Sequence, residues 1–394
     1  MGVTRTRRQV LGALAAAGAA TLVDPGSVLA RLAAEQPCAD PGTAGTLLGT
    51  LPLSRAGAPV QPFGMKFGGR GLAARLVTDL SLLQPDRLLT PTARAFIRTE
   101  RPTPFRARST MTATGLLRRE GTLSIEDWRR DATPMGAHLI ECSGNDNPAN
   151  FGLMSVAEWD GVPLADVVSG LQPDGRATGV LVSGVDPGTA ASSISIPGAS
   201  WVYPLASLDR LGAFFAVRMN GEPLAPDHGA PVRLVVPGWY GCTWIKWVQA
   251  LRLVGPDEPA TGQMKEFAGR THQTARHGLA SAYTPADIQI AATPVRVEKR
   301  RGPDGLDYRI VGIVWGGQAA IDRLAIRFGP DEAWTPFSIC PVPKTHTTWS
   351  LWEYRWKPKV AGLYSISLRV PDASVPQRRL DTGYYMRQVR IEDV

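Results

Sequence analysis

Apolar residues along this chain come in short runs bounded by glycine, proline, asparagine and aspartate, the texture of strands joined by tight turns. Ala137-His138-Leu139-Ile140 reads as a strand that ends in the loop Glu141-Cys142-Ser143-Gly144-Asn145. Further strands are predicted over 180–185, 214–219 and 232–236, with Asn220-Gly221 closing a hairpin after the second. Arg233 lies inside Val232-Arg233-Leu234-Val235-Val236, and a guanidinium in so apolar a run needs a buried partner, most naturally an anion. Trp244-Ile245-Lys246-Trp247 is expected to resume a strand that runs to Val254. Helical signals are few: Ser-x-x-Asp at Ser124 caps a helix near Trp128, and Trp159-Asp160-Gly161-Val162-Pro163 feeds a second over 164–169.

Other stretches are less regular. Residues 31–60 read as an irregular Ala/Gly/Pro-rich arm, and 76–89 alternate weakly and break at Pro85. Phe96-Ile97-Arg98-Thr99-Glu100 is predicted as a short strand entering the proline-held loop Pro102-Thr103-Pro104, whose rigidity would aim Arg98. Residues 256–285 are polar, hold His272, Arg276 and His277, and are expected to form a long functional loop or linker. From about Ala286 the pattern becomes short alternating strands over 309–314, 321–328, 349–356, 362–370 and 384–391, a spacing that predicts a β-sandwich of immunoglobulin type.

Composition narrows the classes. A chain of 394 residues suggests two or three domains, and 41 glycines with 33 prolines favour strands and loops over a helical bundle. The net charge of +8 is spread without a dense Lys/Arg run, which argues against nucleic acid and for small oxyanions or an acidic redox partner. The first thirty residues read as a twin-arginine leader, Thr6-Arg7-Arg8-Gln9-Val10-Leu11 followed by a short Ala/Gly-rich apolar run, with cleavage near Ala30. That predicts a periplasmic protein exported already folded, a route suited to a bound cofactor. No later apolar segment approaches the ~20 residues of a membrane span.

The cysteines Cys38, Cys142, Cys242 and Cys340 are too far apart for a zinc knuckle or a haem-attachment motif, and their spacing suggests no disulfide. Cys142 can be an inert buried thiol, half of a disulfide, a nucleophile or a metal ligand. The last two require the thiolate, and so a positive neighbour or a metal.

Six motifs in order carry a resemblance. Phe96-Ile97-Arg98 with Pro102-x-Pro104, Glu141-Cys142-Ser143-Gly144-Asn145 and Trp159-x-Gly161-Val162-Pro163-Leu164 come first. Met219-Asn220-Gly221-x-Pro223-Leu224, Asp227-His228-Gly229-x-Pro231-Val232-Arg233 and Pro237-Gly238-x-x-Gly241-x-x-x-Ile245-Lys246-Trp247 follow. Together they resemble the sulfite oxidase family of molybdopterin enzymes, which includes bacterial sulfite dehydrogenases and sulfane dehydrogenase subunits. The resemblance implies an α+β molybdopterin-binding domain over 31–284 and an immunoglobulin-like sandwich over 285–394, the latter usually making a homodimer. It implies Cys142 as the molybdenum ligand, with Arg98 beside it in catalysis. Phe96, Arg98, Thr99, Glu100, Asp186, His228, Arg233, Trp244, Ile245 and Lys246 would contact the cofactor, the last five around its phosphate. No haem or flavin motif is present, so electrons would leave to a separate carrier, a c-type cytochrome.

The departures fall on the substrate side. Asp146 and Asn147 stand where sulfite oxidases carry two arginines, Phe151 where a tryptophan is common, and Asp381-Thr382 where an arginine is usual. The tyrosine expected some twenty residues after Lys246 is replaced by Glu266-Phe267-Ala268-Gly269-Arg270. Asn147, Phe151, His272 and Arg276 are the candidates for a rewritten pocket. The expected reaction is oxygen-atom transfer to sulfite or to a larger, less charged sulfur compound. Two rivals are an S-oxide or N-oxide reductase and a metal-free binding protein on the same fold.

Overall fold

The computed structural model describes residues 45–54, 66–103, 108–145, 151–185, 198–340, 343–380, 383 and 385–394. Residues 44–394 cluster as one compact unit. Within it two five-stranded sheets and two four-stranded sheets enclose two large apolar cores.

The first core lies between the five-stranded sheets. One is antiparallel and orders Glu222–Pro223, Phe214–Met219, Met154–Pro163 and Thr133–Glu141, with Arg233–Val235 also paired to Phe214–Met219. The other orders Gly121–Ser124, Thr110–Gly115, Val248–Val254, Gly179–Gly184 and Ser200–Pro204, and its one parallel pair joins Thr110–Gly115 to Val248–Val254. Trp159, Trp201, Tyr203, Phe214 and Phe215 are almost fully buried between them. Helix Ile125–Asp131 closes one side: the Ser124 side chain caps the Asp127 N–H, acids occupy its first turn and arginines its last, matching the helix dipole. Asn220 and Gly221 both take positive φ (53° and 79°), the geometry a two-residue hairpin needs.

The second core is a sandwich. Thr46–Leu51, Ala291–Gly302, Gly305–Trp315 and Ser350–Trp356 form one sheet, and Thr335–Ser338, Arg323–Arg327, Gly362–Arg369 and Arg387–Ile391 the other. Tyr308, Trp349 and Trp352 fill the space between, and Phe328 stacks on Trp356 with centroids 4.2 Å apart.

Several expectations are corrected. The arm over 31–60 is not irregular throughout: Thr46–Leu51 pairs antiparallel with residues 297–301, so the sandwich draws on the chain from both sides of the 284/285 boundary. Residues 96–100 make no strand beyond a single bridge from Ile97 to Leu76. Residues 256–285 hold the helix Gly262–Phe267 and further helical turns instead of an open loop, with Gln273 tying itself to Thr284. The strand after the Trp-rich segment begins only at Val248, because Trp247 takes φ 51° and breaks the alternation. Cys340 is disulfide-bonded, whereas Cys142 and Cys242 are free.

Candidate active site

Cys142 sits where the strand Thr133–Glu141 leaves its sheet, on the wall of a cavity of about 210 Å³. Its position is set on both sides. The Cys142 N–H donates to the Leu153 carbonyl (2.9 Å), continuing the ladder with the neighbouring strand. Beyond it, Asn145 Oδ1 accepts from the N–H groups of Gly152 and Leu153 (2.8 and 2.9 Å), and Asn145 Nδ2 donates to Glu141 Oε1 (3.0 Å). Glu141 is fully buried and takes a two-pronged ion pair from Arg378 (2.8 and 2.7 Å) plus the Trp315 indole N–H (2.8 Å). Arg378 is itself ringed by Tyr240, Trp315 and Tyr385. The residue before the cysteine is thereby bolted to the sandwich core, and the sulfur is left as the only side-chain atom of the pair facing the cavity.

Three guanidinium groups, Arg75, Arg98 and Arg270, surround the sulfur electrostatically. Arg98 Nη1 donates to the Leu72 carbonyl (2.7 Å) and Arg75 Nη1 to the Ala73 carbonyl (2.8 Å). Arg270 lies over the Phe267 ring at 5.5 Å. Gly144 separates the sulfur from Arg270: its N–H donates to Cys142 Sγ (3.4 Å), and a Cβ there would lie 3.6 Å from Arg270 Nη1 and 3.8 Å from the sulfur. Burial pushes the Cys142 thiol up, against the pull of Arg98, the Gly144 N–H, Arg270 and Arg75. Burial also lowers Arg98 to about 10, with Cys142 opposing and Arg75 and Arg270 adding repulsion.

A second group of cations occupies another part of the wall. His228, on the turn Pro226–His228, donates from Nε2 to the Thr92 carbonyl (3.1 Å). Arg233 Nη1 donates to the His228 carbonyl (3.1 Å), and its guanidinium faces Trp159 and Trp244 at 5.2 and 5.7 Å. Lys246 Nζ donates to the carbonyls of Thr99 (2.6 Å) and Asp227 (2.9 Å). Gly229 (φ 108°) lets these segments meet, since a Cβ would come within 3.0 Å of Arg233 Cβ and 3.2 Å of Lys246 Cβ. Thr99 holds φ 133°, a conformation that threonine rarely adopts, and so presents its carbonyl to Lys246. Burial lowers Arg233 to about 9. Burial, then Arg233 and Lys246, lowers His228 to about 4, so its imidazole is neutral at pH 7.

This wall fits a phosphorylated, metal-carrying group. Arg233 Nε is buried without a hydrogen-bond partner, so this guanidinium is short of acceptors on a wall rich in cations. Among the described residues the one carboxylate on the wall, Asp227, already accepts the Arg101 N–H (2.8 Å). Among the described residues no cluster of three or more His, Cys, Asp or Glu could hold a metal ion. A metal here would therefore bring most of its donors with it and take a wall thiol as its protein sulfur; Cys142 and Cys242 are both free there, and the resemblance assigns Cys142.

Of the residues singled out from sequence, Phe96, Arg98, Thr99, Cys142, His228, Arg233, Trp244, Ile245 and Lys246 all line the cavity. Asp186 and Asn147 lie outside the described residues. Glu100 is not on the wall, because its carboxylate accepts the Gly71 N–H (2.8 Å) and pairs with Arg70. Phe151 belongs to the second core, edge-on to Tyr385 at 6.3 Å. His272 hydrogen-bonds the Tyr240 hydroxyl (3.2 Å) and Arg276 is exposed, neither on the wall. Sequence reasoning missed Arg75, Ser155, Trp159 and Cys242 as wall residues, and noted Arg270 only as part of a segment that lacks a tyrosine. Ser155 fixes the Phe96 loop by accepting its N–H (2.9 Å).

Comparison with known proteins agrees with this geometry. Residues 101–261 match the oxidoreductase molybdopterin binding domain, a domain class that binds molybdopterin. The sulfite oxidase of Gallus gallus is 29% identical over 295 residues, 69% of this chain and 64% of that one. The NADPH nitrate reductase of Neurospora crassa is 29% identical over 202 residues, 46% of this chain and 21% of that one. Among solved structures, the sulfane dehydrogenase SoxCD from Paracoccus pantotrophus superposes with a TM-score of 0.60 at 16% identity, covering 87% of this chain and 91% of that one, a likeness of fold. The chain spans from about a fifth to just under two thirds of the length of these curated relatives. Fold and cavity thus define a molybdopterin-binding domain joined to a β-sandwich. Residues 101–261 mark a molybdopterin-binding oxidoreductase, and the chain as a whole is similar to the sulfite oxidases.

Proposed function

We propose that this chain is an exported molybdenum-cofactor oxidoreductase that oxidises sulfite or a related sulfur compound and passes electrons to a separate c-type cytochrome. The observation that carries the reading is the free Cys142 sulfur on a cavity wall whose charged groups are nearly all cations. The bound cofactor supplies two-electron oxygen-atom transfer at molybdenum. The chain's part is binding, aiming and excluding water. Cys142 holds the metal through sulfur, and a metal cation would keep that buried sulfur deprotonated where burial alone does not. Arg233 and Lys246 hold the phosphate, while the neutral His228, its one N–H taken by the Thr92 carbonyl, shapes the wall beside them. Trp159, Trp244 and Trp247 form apolar wall that limits water and strengthens each charge interaction nearby.

Export is supported by the Arg7-Arg8 leader pattern and by the bonded Cys340, since disulfides persist in oxidising compartments. An acidic cytochrome would suit the chain's positive charge. The test is metal analysis of protein from a molybdate-fed, export-competent host, paired with sulfite-dependent reduction of cytochrome c. About one molybdenum per chain is expected, and Cys142→Ser should lower turnover at least about a thousand-fold while the circular dichroism spectrum stays unchanged. Less than about a tenth of an equivalent of metal, or an active Cys142→Ser, overturns the reading.

A further inference from the structure

The two groups of cations on the wall do not mix. The groups that pull on Cys142 are Arg98, Arg270 and Arg75, whereas those that act on His228 include Arg233 and Lys246. One bound phosphate can answer only one of them. The His228 group is the one built of buried, carbonyl-tethered donors, which leaves the group at Cys142 with charge to spare. Arg270 differs from its two companions. It is exposed at the cavity mouth, and among the described residues no carboxylate pairs with it.

Its placement is nevertheless fixed. The helix Gly262–Phe267 is capped by the Thr261 hydroxyl, which accepts the Met264 N–H (3.1 Å) and donates to the Ser200 carbonyl (2.8 Å). Ala268 and Thr271 of the turn that follows are buried, and the Thr271 hydroxyl donates back to the Phe267 carbonyl (3.0 Å). With the turn anchored on both sides, Arg270 is held over Phe267, and its Nη1 and the Cys142 sulfur both sit within 4 Å of the same point above Gly144.

We propose that Arg270 is the substrate-selecting residue: with Arg98 and Arg75 it forms a seat for a small dianionic sulfur oxyanion beside Cys142, favouring it over neutral thioethers and sulfoxides. This rests on the function proposed above and names its substrate class. The seat brings its outermost cation to the sulfur from a segment more than a hundred residues further along the chain. A guanidinium suits this task because its planar donors match two oxygens of one anion.

The test uses the molybdenum-loaded full chain with Arg270→Gln and Arg270→Lys. Sulfate, a non-reacting dianion, is titrated calorimetrically into the resting enzyme, and sulfite and a neutral thioether, dimethyl sulfide, are assayed as substrates. Arg270→Gln is expected to weaken sulfate binding and raise the KM for sulfite about ten- to hundred-fold. The kcat should stay within about three-fold, with molybdenum content and melting temperature unchanged. Arg270→Lys should restore part of the affinity, and behaviour toward dimethyl sulfide should not change. Unchanged sulfate affinity in Arg270→Gln overturns the seat, as does an equal loss toward the neutral probe. A metal-loaded wild type that does not bind sulfate also overturns it. A chain that lacks molybdenum yet binds sulfate through Arg270 instead refutes the proposed function and keeps the seat.

Discussion

At the His228 end of the cavity the cations are buried, with Arg233 only 5% exposed and His228 7%. Their donors are tethered to carbonyls supplied by residues 92, 99, 227 and 228. At the Cys142 end, Arg75 and Arg98 are partly exposed and Arg270 is exposed, and the three come from segments nearly two hundred residues apart. Burying a guanidinium with an unpartnered Nε costs free energy that the Trp159 and Trp244 rings offset in part and a bound anion would offset further. The buried end is therefore a committed receptor, poor at being empty. The exposed end loses little in water and can change its residues without endangering the fold.

Beneath the Cys142 end lies one buried element, the Glu141–Arg378 pair, and its removal gives the largest expected effect on stability. Arg378→Met strands a buried carboxylate and is expected to cost about 3–5 kcal/mol, read as a shift of the denaturant midpoint. A loss below about 1 kcal/mol would place the pair among ordinary surface bridges and remove the contrast with the seat above it.

The committed end should also reveal itself through pH. His228 titrates at about 4 when folded, below its ordinary 6.5, with Arg233, Lys246 and Asp227 as its charged neighbours. The unfolded chain therefore takes up the proton first on acidification. Stability present above about pH 6.5 is lost as pH falls toward about 4, by roughly 3 kcal/mol. Urea unfolding of cofactor-free protein at pH 7.5 and 4.5 should show this difference, and His228→Gln should remove most of it. An identical pH dependence in the two proteins counts against a buried neutral imidazole.

The smallest expected effect has the opposite sign. Arg233→Met should leave cofactor-free protein as stable or more stable by up to about 2 kcal/mol, while purified protein retains less than about a tenth of its molybdenum. If the variant is destabilised by several kcal/mol instead, Arg233 is holding the fold through Trp159 and Trp244 and not waiting for an anion.

Local pattern made much of this legible. The Cys142 strand and loop, the Ser124-capped helix, the Asn220-Gly221 turn and the arginine within 232–236 follow from period, caps and turn residues over short windows. The residues of the committed end were readable because most of them fall within some twenty positions of sequence, from Asp227 to Lys246. Arg75 and Arg270 were not, since only tertiary folding brings them to the sulfur, and no spacing rule relates them to position 142. Trp244 to Trp247 read as a strand because β-formers alternate poorly there in any case; a positive φ at Trp247 turns four successive residues onto the cavity wall instead. Glu141 looked like part of a motif, while its actual partner, Arg378, lies 237 residues away.

Thr46–Leu51 hydrogen-bonds along one side of Ala291–Gly302, which is next in its sheet to Gly305–Trp315 on the other. Trimming the chain past residue 51 would bare a row of amides and carbonyls on Ala291–Gly302, an adhesive border that a second molecule could extend. Any shortening from the N-terminus thus has a limit: it must stop before Thr46 if the product is to stay unaggregated.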